Sequence, residues 1–441
     1  VQGIWTRKGA GGIGKPDLMA QSSKPNGTKS RNIFLRLLGP GLVTGAADDD
    51  PSGIATYSQA GAQFGYGLLW TVFLTTPFMI VIQLVSARIG RVTGKGLTAN
   101  IGRVAPRWLV ILLVSLLVVA NTFNIAADIA AMGEALSLVI GGLSHEHALI
   151  FAAASVLLQV FVPYRRYAPV LKFLTLTLFV YVATAFAVDI PWSRALAAAL
   201  WPSTTVSADY FLMVVAVLGT TISPYLFFWQ ASQEVEEMSQ GKRRRPLRDL
   251  PHGGASEIDR IAVDTAVGMI FSNAIAFFII LTTAAVLHAH GVSNIQTAAQ
   301  AAEALRPLAG EMAFLLFALG IIGTGLLAGS AAYGVAEVFG WPATLEAKAP
   351  DAVGFYGIIA AATIIGFGLD FTSIDPIKML IWSAVLNGVV AVPIMAAMMM
   401  VVGNADVMGR FKGKPWLIGF GWAGTALMAV AVAGMIWSSL S

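Results

Sequence analysis

Apolar runs about 20 residues long, the length a helix needs to cross roughly 30 Å of hydrocarbon, recur along almost the whole chain and leave no room for a separate soluble domain. They lack period-2 alternation, so they read as helices and not as strands of a membrane barrel. About eleven segments are expected, over residues 37–65, 67–90, 108–136, 147–163, 170–190, 209–238, 260–287, 311–340, 353–370, 376–403 and 416–438. The expected fold class is therefore an all-α polytopic membrane protein. Charge agrees with this, because only 12% of residues are charged, about half the share of an average soluble domain.

Residues 1–35 carry Gly, Pro and Ser without an apolar run and read as a flexible cytoplasmic tail, not a cleavable leader. With the amino terminus in the cytoplasm, all of the 28 Lys and Arg residues except Arg194, Arg306 and Lys378 fall on the inner side. That asymmetry is the positive-inside pattern, and an odd number of spans puts the carboxy terminus outside a membrane read here as the bacterial inner membrane. Lys242, Arg243, Arg244, Arg245 and Arg248 form a basic cluster that is expected to fix topology and touch lipid, not nucleic acid. The expected partners are a lipid bilayer and a small ion. The chain has 0 cysteines, which excludes disulfides, thiolate metal sites and thiol redox chemistry.

Two of the segments are interrupted. Leu42 to Tyr57 reads LVTGAADDDPSGIATY, placing Asp48, Asp49 and Asp50 inside an apolar span directly before Pro51, Ser52 and Gly53. A carboxylate near mid-membrane costs at least about 2.5 kcal/mol, so it faces a water-filled cavity or a partner. Segment 6 has a similar break in LGTTISPYLFFWQ, residues 218–230, centred on Pro224. Unwound backbone is tolerated at that depth only where it is buried in protein or lines a cavity. Breaks in the first and sixth segments are the mark of an inverted repeat of 5+5 helices with the substrate site at the breaks. The repeats would cover residues 36–195 (segments 1–5) and 205–403 (segments 6–10), followed by an eleventh helix at 415–441.

A membrane proline is often a simple kink whose freed carbonyl is satisfied by a neighbouring Ser or Thr, and Pro224 alone admits that reading. Three aspartates beside Pro51 weigh against it. Successive helical residues point about 100° apart, so one or two of the three acids can face one ion, and Asp50, next to the proline, is the candidate. A carboxylate, a hydroxyl and freed carbonyls make an all-oxygen set that favours magnesium, manganese or calcium. Met379, Met395, Met398, Met399 and Met400 read as packing, and the pairs His145 with His147 and His288 with His290 have poor spacing for one helical face.

At these breaks the chain resembles the Nramp family of divalent-metal transporters, whose first and sixth helices carry Asp-Pro-Gly-Asn and Met-Pro-His. Here the positions read Asp50-Pro51-Ser52-Gly53 and Ser223-Pro224-Tyr225, with agreeing flanks GPGLV at 39–43, ATYSQAGAQFGYGLLW at 55–70 and ADVMGRF at 405–411. The resemblance implies a LeuT-like fold with helices 1 and 6 unwound. It also implies a metal site of Asp50, the carbonyls of Ala47 and Thr220, and the positions now held by Gly53 and Ser223. Loss of the Asn and Met ligands implies a roomier site suited to a partly hydrated ion. The family's helix-3 Asp matches Asp128, but its Glu is Ala131, with Glu134 one turn further, and its helix-6 His is Tyr225. Those departures resemble the Nramp-related magnesium branch, whose uptake is not coupled to protons.

The expected activity is import of magnesium, and also manganese, by alternating access, with no cofactor and no enzymatic step. Asp49, Tyr225, Gln230, Asp128, Glu134 and Asn387 are candidates for the path or its gates, with Tyr225 and Gln230 along the inner half and Asn387 closing it. The rival on the same fold is a proton-coupled manganese or iron symporter using Asp50, Asp128 or Glu134. An organic-solute carrier would avoid stacked aspartates near an anionic substrate. A membrane enzyme would need a nucleophile with a nearby base, and no such cluster occurs at membrane depth.

Overall fold

The computed structural model describes residues 40–162, 166, 176–202, 207–240, 245–250, 254–325, 330–342, 349–369, 371 and 374–440, and every regular element among them is helical. Residues 38–441 form one compact unit. The expected tail at 1–35, the start of the fifth segment at 170–175 and Lys242 to Arg244 lie outside the described residues.

The principal helices are α1 (Pro40–Asp48), α2 (Pro51–Phe64), α3 (Leu69–Thr93), α4 (Arg107–Ile140), α5 (Ser144–Phe161), α6 (Phe179–Ala187) and α7 (Ala208–Thr221). They continue with α8 (Pro224–Gln240), α9 (Ala255–Val286), α10 (Ala313–Gly325), α11 (Ser330–Phe339), α12 (Val353–Leu369), α13 (Pro376–Gly403) and α14 (Pro415–Leu440). Among the described residues, 8 helical stretches are long and apolar enough to cross a membrane, and Leu176–Ala187 and Val353–Leu369 are shorter apolar helices.

The first and sixth segments are each split in two where the sequence places proline. Segment 1 becomes α1 and α2, because Pro51 cannot donate to the Ala47 carbonyl and so restarts the helix at its first turn. Segment 6 becomes α7 and α8, with Ile222 at φ −120° and ψ 60° closing α7 before Pro224 opens α8.

The halves pack in an exchange-symmetric way. Both α1 and α2 lie on α9, while α8 lies on α3 and α7 lies on α13. Segment 1 against segment 7 and segment 6 against segment 2 is the arrangement that an inverted repeat of five helices produces. Each of these crossings is close enough to require a glycine. A Cβ at Gly45 of α1 would fall 2.2 Å from the Gly268 carbonyl oxygen of α9, and one at Gly90 of α3 would fall 2.3 Å from the Ala231 carbonyl oxygen of α8. Backbone seams of this kind are how membrane helices gain dispersion contact where apolar burial gives no drive.

Candidate ion-binding site

The break in segment 1 sets Asp50 in extended backbone, φ −72° and ψ 173°, as the cap of α2. Its Oδ1 accepts a hydrogen bond from the Gly53 amide at 2.8 Å, which leaves Oδ2 to face inward. That oxygen accepts from the Tyr225 hydroxyl at 2.8 Å and from Asn124 Nδ2 at 3.2 Å. The same Asn124 amide also donates to Asp128 Oδ2 at 3.0 Å. Asn387 of α13 donates to Asn124 Oδ1 at 3.3 Å and so holds that amide from behind.

Beside this network is a small cavity of about 20 Å³, lined by Ala47, Asp50, Asn121, Asn124, Asp128, Tyr225 and Thr324 among others. That is room for about one water-sized body. Among the described residues no Lys, Arg or His lines it, and neither does a sulfur atom. Its acceptors are therefore carboxylate, amide, hydroxyl and backbone oxygens, a donor set for a hard cation.

The remaining sequence candidates are placed differently from the expectation. Ser223 does not line the cavity: its hydroxyl donates to the Gly219 carbonyl at 2.8 Å and the Thr220 carbonyl at 2.7 Å. The reason is Pro224, which lacks the amide hydrogen that would have met Thr220, so the serine supplies one. Of the two carbonyls freed by the prolines, that of Thr220 is thus occupied, whereas Ala47 lines the cavity. The roomier space expected at Gly53 is also not there, since a Cβ would lie 3.2 Å from Thr220 Oγ1 and 3.3 Å from the Asp48 carbonyl oxygen. Free volume lies instead toward α4, α8 and α10.

Asp49 points with Asp48 to the opposite side, where the Ser272 hydroxyl of α9 hydrogen-bonds Asp49 Oδ1 at 3.2 Å and also Asp48 Oδ2. Gln230 does not line the cavity; it bonds Thr44 of α1 and donates to Glu234 Oε1 at 3.4 Å. With the bond from the Gly41 amide to Asp264 Oδ2, 2.7 Å, it ties α1 to α8 and α9 at one end of the bundle. Glu134 lies at the other end, where its Oε1 accepts from the Ala298 amide at 2.8 Å. Gln59 of α2 binds the same connection, accepting from the Ile295 amide at 2.8 Å and donating to the Ser293 carbonyl at 3.2 Å. Glu134 is therefore a clasp on the segment between α9 and α10, ten residues along α4 from the Asn124 that meets Asp50.

Asn121, Asn124, Thr324 and Trp229 were not among the sequence candidates. Asn121, Asn124 and Asp128 recur at i, i+3 and i+7 on otherwise apolar α4, a polar stripe on one face that periodicity alone can reveal. Trp229 walls the cavity and meets Tyr333 of α11 edge-on at 5.9 Å, and the Tyr333 hydroxyl donates to Glu236 Oε1 at 2.9 Å. One turn along α8 from Trp229, Ser232 and Val235 line a second cavity of about 250 Å³ that also contains Lys95 and Glu337.

Asn124→Ala is expected to remove the only side chain among the described residues that donates to both Asp50 and Asp128, destabilising the protein by about 1–3 kcal/mol. Melting in detergent without divalent ions should fall, and added Mn²⁺ or Mg²⁺ should recover more of it than in the intact protein. An unchanged melting temperature refutes the bridging role.

Comparisons with known proteins give the chain a family and a fold. A family model described as "Natural resistance-associated macrophage protein-like", Nramp, matches residues 41–438. The divalent metal cation transporter MntH of Klebsiella pneumoniae is 26% identical over 419 residues, covering 93% of this chain and 96% of that protein. MntH of Yersinia enterocolitica is 30% identical over 309 residues, covering 67% of this chain and 70% of that protein. In structure, the Eremococcus coleocola manganese transporter gives a TM-score of 0.68 at 17% identity, covering 94% of this chain and 89% of that one. Mhp1, a nucleobase-cation-symport-1 family transporter solved in a closed conformation, gives 0.56 at 10% identity, with coverage of 91% and 92%. At these identities the structural likeness is one of fold.

Proposed function

We propose, from the premise that this chain belongs to the Nramp family, that it is an integral membrane transporter which imports divalent metal cations, magnesium and also manganese, without carrying protons. Transport of a metal ion, not enzymatic chemistry, is what the family does, and the ion is cargo and not a cofactor. The observation that carries the reading is the cavity at the helix break, where Asp50 shares the walls with Asp128 and with amide, hydroxyl, aromatic and apolar side chains, and with no basic side chain among the described residues. Magnesium demands oxygen ligands and releases its waters reluctantly. Sulfur or imidazole, which favour softer metals, is not offered.

The absence of proton coupling is supported by Tyr225, which stands where the family's helix-6 His would be and donates its hydroxyl to Asp50. It is supported also by Ala131, which stands where the family's helix-3 Glu would be. Coupling is not needed energetically. With the amino terminus inside and an inside-negative potential of about 100 mV, a divalent ion gains roughly 4.6 kcal/mol on entry. Alternating access fits an ion site whose flanking helices are tied by separate polar clasps at the two ends, Thr44 with Gln230 and Gln59 with the 293–298 connection. The route inward would run past Trp229 and Tyr333 to the second cavity.

The test is uptake into proteoliposomes that contain a metal indicator and a pH reporter. Mg²⁺ and Mn²⁺ are expected to enter without internal acidification. The second reading, a proton-coupled manganese or iron symporter, draws on the retention of Asp128; entry of Mn²⁺ with protons and exclusion of Mg²⁺ would establish it instead.

A further inference from the structure

We propose that Asp128 of α4 is a second ligand of the transported ion, so that the divalent cation is held between two carboxylates on facing walls of the cavity. This rests on the ion site at Asp50 described above and assigns Asp128 to the cargo instead of to a proton route. Three observations carry it.

First, Asp128 and Asp50 are brought together across two segments of the chain by one amide. Asn124 Nδ2 lies 3.0 Å from Asp128 Oδ2 and 3.2 Å from Asp50 Oδ2, so the two carboxylates are close enough to share one ion with a bridging water. Opposed oxygens around magnesium lie about 4 Å apart when both bind directly. The Asn124 amide ties the pair through its two hydrogens, and Asn387 fixes the orientation of that amide.

Second, the other oxygen of Asp128 is left for a ligand. Asp128 is 5% exposed and lines the cavity, and its Oδ1 accepts no well-formed hydrogen bond among the described residues, the Ser52 backbone amide being the donor nearby. A buried carboxylate oxygen without a well-formed hydrogen bond is costly unless something positive or protic meets it. No basic side chain among the described residues lines this cavity to balance the two acids. Two carboxylates balance one divalent ion and overcompensate a monovalent one, which gives the site a reason to select charge as well as hardness.

Third, the acid that the family carries one turn beyond its helix-3 Asp is missing here. The position one turn on is Ala131. Glu134, six residues on, holds the Ala298 amide with Oε1, its Oε2 having no partner among the described residues, and Tyr225 takes the place of an imidazole. What Asp128 does face is the ion cavity, together with Asn121 and Thr324, whose hydroxyl donates to the Gly320 carbonyl at 2.9 Å and keeps its lone pairs for the cavity.

The experiment is calorimetric titration of the purified full chain with Mn²⁺ and with Mg²⁺, for the intact protein, Asp128→Asn, Asp128→Glu and Asp50→Asn. Asp128→Asn keeps the shape and removes the charge, and is expected to weaken both ions by about 30-fold or more, the scale of losing one member of a buried charge contact. Asp128→Glu should recover part of that loss. Full-strength binding by Asp128→Asn, with binding lost in Asp50→Asn, would overturn the second ligand and leave the Asp50 site standing. Full-strength binding by both variants would overturn the site itself. Should Asp128→Asn fail to fold, infrared difference spectra of the intact protein on adding Mg²⁺ count the carboxylates that shift. Two shifting groups are expected, and a single one overturns the proposal.

Discussion

Asp50→Ala is expected to abolish uptake of Mg²⁺ and Mn²⁺ into proteoliposomes, with less than about one thirtieth of the intact rate remaining. The carboxylate is the one charged group contributed by the unwound turn of segment 1 to the cavity, and Tyr225, Asn124 and the Gly53 amide all aim hydrogen atoms at it. Alanine removes that charge and also the cap of α2, which by itself costs about 0.5–2 kcal/mol of stability. Asp50→Asn separates the two effects, because an asparagine side chain can still cap α2 while carrying no charge. If the charge is what holds the ion, both variants lose uptake and Asp50→Asn keeps its elution profile and melting temperature. Transport by Asp50→Asn at the intact rate would remove the electrostatic basis of the site.

Gly45→Ala is expected to disable transport from outside the ion site. The Cβ would meet the Gly268 carbonyl oxygen at 2.2 Å and its carbonyl carbon at 2.5 Å. Both are backbone atoms of α9, so no rotamer change can relieve the contact, and α1 must move off the seam. Overpacking of this kind costs about 1–3 kcal/mol. A shift of about 1.4 kcal/mol toward a lifted α1 raises the lifted population about tenfold.

The chain has 0 cysteines, so Thr265→Cys supplies a single thiol. Thr265 is fully buried, and its Cα lies only 2.6 Å from where a Cβ at Gly41 would fall. Maleimide labelling of that thiol should be slow in the single variant and about tenfold faster once Gly45→Ala is added, with uptake falling in parallel. Unchanged labelling together with unchanged uptake would show that the seam does not govern access.

Much of the architecture was legible because it depends on properties a residue carries wherever it sits. Apolar runs of membrane length become helices since lipid offers no partner to a backbone amide. Pro51 and Pro224 lack a hydrogen to donate, so the breaks at both positions follow from the residues themselves. Asp50 could be singled out from Asp48 and Asp49 for the same local reason, since the residue before a restarting helix is its cap. That neither break carries Met, Cys or His was equally readable from the residues.

What the tertiary structure alone decided is which way each group faces and what it meets. Ser223 and Gly53 both stood at family ligand positions. One is spent on a carbonyl that Pro224 orphaned, and the other is pressed against Thr220 from a different segment. The Asn121, Asn124 and Asp128 stripe was present on α4 from the start, but nothing in one helix says which neighbour its polar face meets. Glu134 and Asp128 lie on the same helix, yet one closes on the Ala298 amide and the other faces Asp50 through Asn124. The physical reason is range. Helix breaks are set by hydrogen bonds four residues apart, whereas the ion cavity is enclosed by the break after α1 and by α4, α8 and α10, which meet only once the halves of the chain have packed against each other.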